Sequence, residues 1–252
     1  MIHPTALVSS SARIDEGVEI GAYSIIHENV WIKKHTKVGA FCEIGLPTPL
    51  AKEAILEIGE KSIIRSHTVI YIGSRIGSGL QTGHHVCIRE NSVLSEGVQL
   101  GSRTDVQGDC SIGAHTKLHA DVHVGKKSKI GSFVWLFPEV LLTNDPIPPS
   151  EELIGVTIED YCVVAAKVLI FPGVTLANNA VVAAGSVVKT DIPEWKLASG
   201  NPAKPLCDVR ILRMPSNPKE KAYPWRNRFH RGYPQEAIQA WMEQAQTMEN
   251  NK

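Results

Sequence analysis

Residues 94–129 read LSEGVQ, LGSRTD, VQGDCS, IGAHTK, LHADVH and VGKKSK, and each group of six begins with an aliphatic side chain. The same spacing runs from Val8 to Val188 in three stretches of seven, fifteen and six groups, and Thr82 alone is not aliphatic. A period of six matches neither the helical period of 3.6 nor the strand period of two. The chain is therefore a short-period repeat protein.

Each group of six predicts a short strand followed by a turn. A second small or apolar residue comes four positions after the aliphatic, as Thr104, Cys110 and Thr116 do. Since it also precedes the next aliphatic by two, both side chains point to one face of a strand. Glycine often follows the aliphatic, and we expect it to supply positive φ at a sharp turn. These glycines are Gly21, Gly39, Gly59, Gly77, Gly101, Gly113, Gly125 and Gly131.

The pattern aliphatic–Gly–x–x–small–x resembles the hexapeptide repeat of left-handed parallel β-helix acyltransferases. That resemblance implies an all-β fold with three groups per triangular coil, and hence about nine coils and a prism roughly 45 Å long. We expect this β-helix at residues 1–204 and a separate extension at 205–252 that ends in an amphipathic α-helix. Cys42, Cys110 and Cys162 fall at the inward small position, where we expect free, buried thiols.

The composition narrows the choice of partners. The chain has 26 basic and 26 acidic side chains, so no overall field attracts nucleic acid or an anionic membrane. The N-terminus lacks the basic and then apolar pattern of a signal peptide. We expect a cytoplasmic protein that binds neither nucleic acid nor membrane.

Two loops interrupt the repeat, at residues 45–57 and 143–157. Interruptions of a solenoid often carry its binding site. In the second loop Thr143–Asn144–Asp145–Pro146 resembles the loop of sugar-nucleotide N-acetyltransferases, which implies that Asn144 lies beside the accepting amine. An amide can orient an amine or stabilise an oxyanion without titrating. The substrate contacts that we expect are His84, Arg103, Lys126 and Asp145.

The segments Val181–Val188 and Gly200–Lys204 resemble the coenzyme A groove of the same enzymes. The resemblance implies that acetyl-CoA is the co-substrate and that small residues let its pantetheine lie against the backbone. Lysines nearby would contact its phosphates. The expected coenzyme contacts are Ala165, Ala166, Lys167, Ala183, Ala184, Lys189 and Lys204. No metal is expected.

A histidine is the obvious proton acceptor for acyl transfer from a thioester. His123 lies 18 residues after Asp105, so the carboxylate should lie one coil below the ring and orient it. The same counting places His123 about one coil below Asn144. His84 and His119 are alternatives, and some family members leave the proton to the coenzyme thiolate.

These features predict an acyl-CoA-dependent N-acyltransferase, most simply an acetyltransferase, that acts on a nucleotide-linked amino sugar in polysaccharide biosynthesis. The family resemblance implies a homotrimer with active sites between adjacent prisms. Three alternatives stay open: O-acetylation of a sugar or serine, a non-catalytic scaffold, and a zinc enzyme like γ-class carbonic anhydrases. The last would use His84, His119 and His123 as metal ligands.

The extension mixes aromatic residues and arginines between Tyr223 and Pro234. This composition suits packing on the prism or on a neighbour, contact with the coenzyme adenine or, less well, stacking on a nucleic-acid base. From Pro234 onward an amphipathic helix is predicted by a helical stripe of Ile238, Trp241, Met242, Ala245 and Met248. We expect its apolar face to cover an open end of the prism or a subunit seam.

Overall fold

The computed structural model describes residues 1–250, and the side chains of residues 1–247. The last two residues of the expected extension, 251 and 252, lie outside the described residues. All 28 repeat positions lie in strands, one position to a strand, which confirms the prediction from the period of six.

The three stretches of the repeat form 28 successive strands. The first stretch forms β1 (Leu7–Val8), β2 (Arg13–Ile14), β3 (Glu19–Ile20), β4 (Ile25–Ile26), β5 (Val30–Ile32), β6 (Lys37–Val38) and β7 (Glu43–Leu46). The second forms β8 (Leu56–Ile58), β9 (Ile63–Ile64), β10 (Val69–Tyr71), β11 (Arg75–Ile76), β12 (Gln81–Thr82), β13 (Cys87–Ile88), β14 (Val93–Leu94), β15 (Gln99–Leu100), β16 (Asp105–Val106), β17 (Ser111–Ile112), β18 (Lys117–Leu118), β19 (His123–Val124), β20 (Lys129–Ile130), β21 (Trp135–Leu136) and β22 (Leu141–Leu142). The third forms β23 (Thr157–Ile158), β24 (Val163–Val164), β25 (Leu169–Ile170), β26 (Thr175–Leu176), β27 (Val181–Val182) and β28 (Val187–Val188).

The strands build a left-handed parallel β-helix with three flat faces. The first face holds β1, β4, β7 and every third strand to β28, the second runs from β2 to β26, and the third from β3 to β27. Two further strands, β29 (Lys196–Gly200) and β30 (Ala203–Asp208), extend the third face as a hairpin. The faces hold ten, nine and eleven strands, so the predicted count of about nine coils is slightly low. β30 also crosses the boundary expected at residue 204.

The core fills the prism with the two inward residues of each group. Ile44, Ile88 and Leu136 are fully buried, and the hydroxyl residues at the small position are buried as well. Most of their hydroxyls donate to backbone carbonyls, as Thr116 Oγ1 does to Gly131 O at 2.7 Å, whereas the Ser92 hydroxyl has no hydrogen-bond partner among the described residues. As expected, the three inward cysteines are buried free thiols: Cys42, Cys110 and Cys162.

The glycines after the aliphatic residues serve a different purpose from the one expected. In most groups a residue with positive φ stands three places after the aliphatic, as Asn91 (φ 58°) and Gly79 (φ 72°) do. Gly77 does not have positive φ, but a Cβ there would lie 2.6 Å from the backbone carbon of Ser95 in the next coil. Glycine therefore lets successive coils approach each other at the corners, and the expectation of positive φ at these eight positions was wrong.

The extension packs along the third face and does not cap the end of the prism. It contains short 3₁₀ turns at Val209–Ile211 and Trp225–Asn227, a hairpin of β31 (Arg213–Met214) and β32 (Asn217–Lys221), and the helix α1 (Gln235–Asn250). Trp225, Tyr233 and Trp241 form a second apolar cluster. This cluster packs on aromatic side chains of the prism: Phe133, Trp135 and Tyr161.

One of the arginines between Tyr223 and Pro234 is part of this packing, because the Arg226 guanidinium is buried 4.2 Å from the centre of the Tyr161 ring. In the described part of the chain, no helix has the length and apolar character that crossing a membrane requires.

Gly77→Ala should lower the free energy of unfolding by about 1–3 kcal/mol, because the new methyl group collides with the backbone of the next coil. Gly79→Asn is the matched control in the same turn. Gly79 has positive φ and open space around it, and asparagine already takes this conformation at Asn91. It should change stability by no more than about 0.5 kcal/mol. Denaturant unfolding followed by circular dichroism measures both; equal effects of the two substitutions would contradict the steric explanation.

Trp241→Ala should release the extension from the prism, because this side chain is buried between Phe133 and Tyr233 at ring-centre distances of 4.9 and 5.0 Å. Truncation of a buried tryptophan costs about 3–5 kcal/mol. Limited proteolysis should then cut after residue 205 and leave the prism intact. Met242→Ala, at an exposed position of the same helix, should keep the protection of the unaltered chain.

Candidate active site

The two loops of the repeat lie on one edge of the prism. The first loop joins β7 to β8 and the second joins β22 to β23, so each leads from the first face to the second. We call the turns between these two faces the loop edge, and the turns from the third face to the first the opposite edge. β7 and β8 each extend two residues into the first predicted loop, and β23 extends one residue into the second, so that the loops cover residues 47–55 and 143–156.

Asp105 and His123 form a hydrogen-bonded pair on the first face. β16 pairs with β19 so that Asp105 lies directly beside His123, and Oδ2 of the aspartate is 3.1 Å from Nδ1 of the histidine. Burial raises the pKa of Asp105, but hydrogen bonds from His123 and Gln107 outweigh it and lower the pKa overall. An ionised carboxylate can only accept, so Nδ1 carries the proton and Nε2 of a neutral ring keeps its lone pair. The His123 side chain is 39% exposed, which leaves it accessible.

Apolar side chains surround this pair along the first face. Leu141 pairs with His123 in the coil above, and Cys87 pairs with Asp105 in the coil below. Burial, followed by the charge of Asp105, raises the pKa of Cys87 to about 11, so its thiol is protonated at neutral pH. Cys87 is therefore a poor nucleophile.

Asn144 lies one coil above His123, as the register predicts. Its Cβ is 3.2 Å from the point that a Cβ on Gly125 would occupy, so the absence of a side chain at Gly125 makes room for it. The backbone carbonyl of Asn144 accepts from Ile154 N at 2.8 Å. Among the described residues its side-chain amide has no hydrogen-bond partner, and the residue is partly exposed. The amide is therefore available to a ligand.

Asp145 has a different role in the same loop. One carboxylate oxygen accepts from Ser150 Oγ at 2.6 Å and from Ile147 N at 3.1 Å, and the other accepts from Ser150 N at 2.8 Å. The hydrogen bond from the Ser150 hydroxyl is the main reason that the pKa of Asp145 is lowered. These contacts favour a loop-shaping role over the substrate contact that the sequence suggested.

Lys126 belongs to a charge network along the loop edge. Its Nζ is 3.2 Å from Asp109 Oδ2 and 3.6 Å from Glu90 Oε1, and its side chain is 24% exposed. Lys52, from the first loop, also pairs with Asp109 at 2.6 Å, and Arg89 pairs with Glu90 at 3.2 Å. The network therefore fixes the first loop to the coils below the second loop.

Sequence reasoning missed the carboxylates of this network. Glu90, Gly108 and Lys126 are spaced by 18 residues and so form one column of three coils. Gly108 has positive φ, and a Cβ on it would be 3.2 Å from Glu90 Oε1. The sequence could have predicted this contact from Gly108, which stands between an acidic and a basic residue at the 18-residue spacing. Since glycine has no side chain, it leaves room for Glu90 and Lys126 to meet.

His84 and Arg103 lie on the opposite edge, so the chain does not bring them to Asn144. His84 Nδ1 is 2.7 Å from Ser66 Oγ. The Arg103 guanidinium makes two hydrogen bonds of 2.6 Å to the carboxylate of Asp121.

The expected coenzyme residues divide between several places. Most of them follow β24 and β27 and lie stacked on the opposite edge: Ala165, Ala166, Lys167, Ala183 and Ala184. Lys167 there pairs with Glu139 at 3.5 Å. Lys189 follows β28 on the loop edge and lies over the Phe171 ring, whereas Lys204 lies in the β29–β30 hairpin.

The three histidines of the zinc hypothesis do not form a ligand set within one chain. His119 stacks on Phe137 with ring centres 4.7 Å apart, and His123 is engaged with Asp105. Burial, followed by the charge of Lys117, lowers the pKa of His119. Among the side chains of residues 1–247, no three from histidine, cysteine, aspartate or glutamate form a cluster that could hold a metal ion.

Comparison with known proteins finds curated relatives of this chain, although no family model matches it. The bifunctional protein GlmU of Rubrobacter xylanophilus is 30% identical over 215 residues, which are 84% of this chain and 43% of that protein. The GlmU of Mycobacterium marinum is 27% identical over 225 residues, which are 86% of this chain and 42% of that protein. The chain thus spans less than half the length of these curated relatives.

A solved structure shares the fold. The UDP-N-acetylglucosamine acyltransferase of Arabidopsis superimposes with a TM-score of 0.50 at 18% sequence identity, over 82% of this chain and 73% of that one. At this identity the likeness concerns the fold alone.

Glu90→Gln should destabilise the chain by about 1–3 kcal/mol, because it leaves two cations without their buried partner. Glu57→Gln is the matched control, since Glu57 pairs with Lys33 at 2.7 Å on the surface, where both side chains are about one-third exposed. Surface pairs contribute about 0–1 kcal/mol. Denaturant unfolding at low salt measures the free energy of unfolding of both variants. Equal decreases would show that the Glu90 network stabilises the chain no more than a surface ion pair does.

Proposed function

Because the chain belongs to the hexapeptide-repeat acyltransferase family, we propose that it is an acyl-CoA-dependent N-acyltransferase whose acceptor is a nucleotide-linked amino sugar. The observation that carries this proposal is the Asp105–His123 pair on the first face. The pair lies one coil below the side-chain amide of Asn144, which has no hydrogen-bond partner among the described residues. We take the acyl group to be acetyl, so that acetyl-CoA is the co-substrate.

In the proposed reaction the sugar amine attacks the thioester carbonyl and forms the C–N bond. Nε2 of His123 accepts the proton that the amine loses, and the ionised Asp105 stabilises the imidazolium. The C–S bond then breaks, and the imidazolium returns the proton to the departing thiolate. No charge has to leave the site during this cycle.

Asn144 is the proposed partner of the reacting groups. Its oxygen can accept from the amine and orient the lone pair, or its nitrogen can donate to the oxyanion of the tetrahedral intermediate. The stiff loop that carries it supports this role, because Asp145 and Ser150 hold the backbone next to Asn144 in place.

We further propose that the active site forms between copies of the chain in a homotrimer. The alanines at residues 165, 166, 183 and 184 lie on the opposite edge, across the first face from Asn144. A coenzyme bound along that edge would reach the Asp105–His123 pair of an adjacent prism. Leu141, Leu169 and Val187 form a column of outward-facing apolar side chains on the first face, and this column supports such a contact.

O-acylation is the second candidate, because a histidine held by a carboxylate can also deprotonate a hydroxyl. The two functions differ in the acceptor. Release of coenzyme A thiol, measured with a panel of amino-sugar nucleotides and their hydroxyl counterparts, distinguishes them. Turnover with hydroxyl acceptors alone would overturn the N-acyltransferase proposal, and no turnover with any acceptor would overturn acyl transfer.

His123→Ala should lower kcat by about 10²–10⁴-fold, because the proton acceptor is lost. Asn144→Ala should lower kcat by about 10²-fold if the amide stabilises the oxyanion. His27→Ala is the matched control, since His27 also pairs with a carboxylate, Glu43, at 3.0 Å but lies in the N-terminal coils. It should retain the full rate. Unchanged kcat in His123→Ala across the pH range would exclude this residue as the base.

A further inference from the structure

A groove of about 740 Å³ lies on the third face, away from the Asp105–His123 pair. Its floor consists of outward side chains of β12, β15, β18 and β21, among them Gln81 and Gln99. The segment Phe229–Gly232 of the extension closes one side. Prism and extension therefore both contribute to it.

The groove carries a local excess of positive charge in a chain with no net charge. Arg65, Lys117 and Arg231 line it, and none of its lining residues is an aspartate or glutamate. Arg65 and Arg231 are exposed, whereas His119, also in the wall, has its pKa lowered by burial and is neutral at pH 7. Three cations without a facing carboxylate attract an anion.

Lys117 is the strongest indication of an anionic ligand. The residue is only 7% exposed, and no carboxylate of the described chain lies within 4 Å of its ammonium. Nζ donates to Arg231 O at 3.2 Å and to Gly232 O at 3.4 Å, and it lies 4.1 Å from the centre of the Tyr233 ring. Burial of a cation without a counter-ion is unfavourable, so a bound anion would lower this cost.

Aromatic side chains form the other end of the groove. Trp135 and Phe229 meet edge to face with ring centres 5.6 Å apart, and His119 lies 5.7 Å from Trp135. Such surfaces stack against the flat face of a nucleobase. Nearby, the amides of Gln81 and Gln99 offer both donors and acceptors to the edge of a base.

We propose that this groove binds a nucleoside diphosphate, with the phosphates on Arg65, Lys117 and Arg231 and the base against Trp135 and Phe229. The inference rests on the proposed function, because that function requires two ligands with such a group, the sugar nucleotide and coenzyme A. It adds a role for the extension, which supplies Phe229 and Arg231 and so determines which nucleotide is accepted.

The test is isothermal titration of the full chain with UDP, GDP, CDP, TDP, ADP and coenzyme A at fixed low salt. At least one of these probes should bind, and Arg231→Ala should weaken it about fivefold or more. Lys117→Met, which keeps the length of the buried side chain, should weaken it about tenfold or more. Lys129→Met removes an exposed lysine of the second face and should leave the Kd unchanged within twofold.

The probes also identify the source of the diphosphate. Preference for one of UDP, GDP, CDP or TDP assigns the groove to the sugar nucleotide, and preference for ADP and coenzyme A assigns it to the co-substrate. Binding of no probe at millimolar concentration, or equal Kd values in the unaltered chain and in Arg231→Ala, would overturn the proposal. Because the Arg231 side chain is exposed, this variant keeps the test valid if Lys117→Met fails to fold.

Turnover separates this inference from the proposed function. If acyl transfer proceeds with the same KM values in Arg231→Ala, the groove proposal fails and the proposed function stands. If no acceptor is acylated but the variants lose nucleotide binding, the proposed function fails and the groove proposal stands.

Discussion

The structure depends on the hydrogen-bonded register between successive coils. Each strand pairs in parallel with the strand one coil away, as His123 N does in donating to Val140 O at 2.9 Å. Nearly all backbone polar groups of the prism are satisfied by this ladder, and the inward side chains fill the space that it encloses. Close contact at the corners is possible because glycine occupies the positions where a Cβ would collide with the next coil.

The register also determines which outward side chains can interact. Where the repeat is unbroken, residues 18 apart in sequence become neighbours, so that Asp105 meets His123 and Arg103 meets Asp121. The same rule builds a stack of rings on the opposite edge, with 5.2 Å between Tyr23 and Phe41 and 4.5 Å between His67 and His85. In a solenoid, the spacing of two outward residues in the sequence therefore determines whether their side chains can meet.

Interruptions of the repeat add what the register alone cannot provide. Both loops leave the first face at the same edge, and the network of Lys52, Asp109, Lys126 and Glu90 joins the first loop to the coils beneath the second. The third face is altered in another way, because the extension covers its upper part and creates a groove with the prism. The proposed chemistry and the proposed nucleotide site therefore lie on different faces of one rigid support.

Sequence by itself determined the strands and the inward residues, because the period of six is strict. With the three groups per coil that the family resemblance implies, it also placed Asp105 one coil below His123. It also located the loop that carries Asn144. Only the tertiary structure decided that Asp145 and Lys126 are engaged by neighbouring side chains and where the extension packs. These outcomes depend on side chains that meet across loops and across a face, and such contacts have no fixed spacing in the sequence.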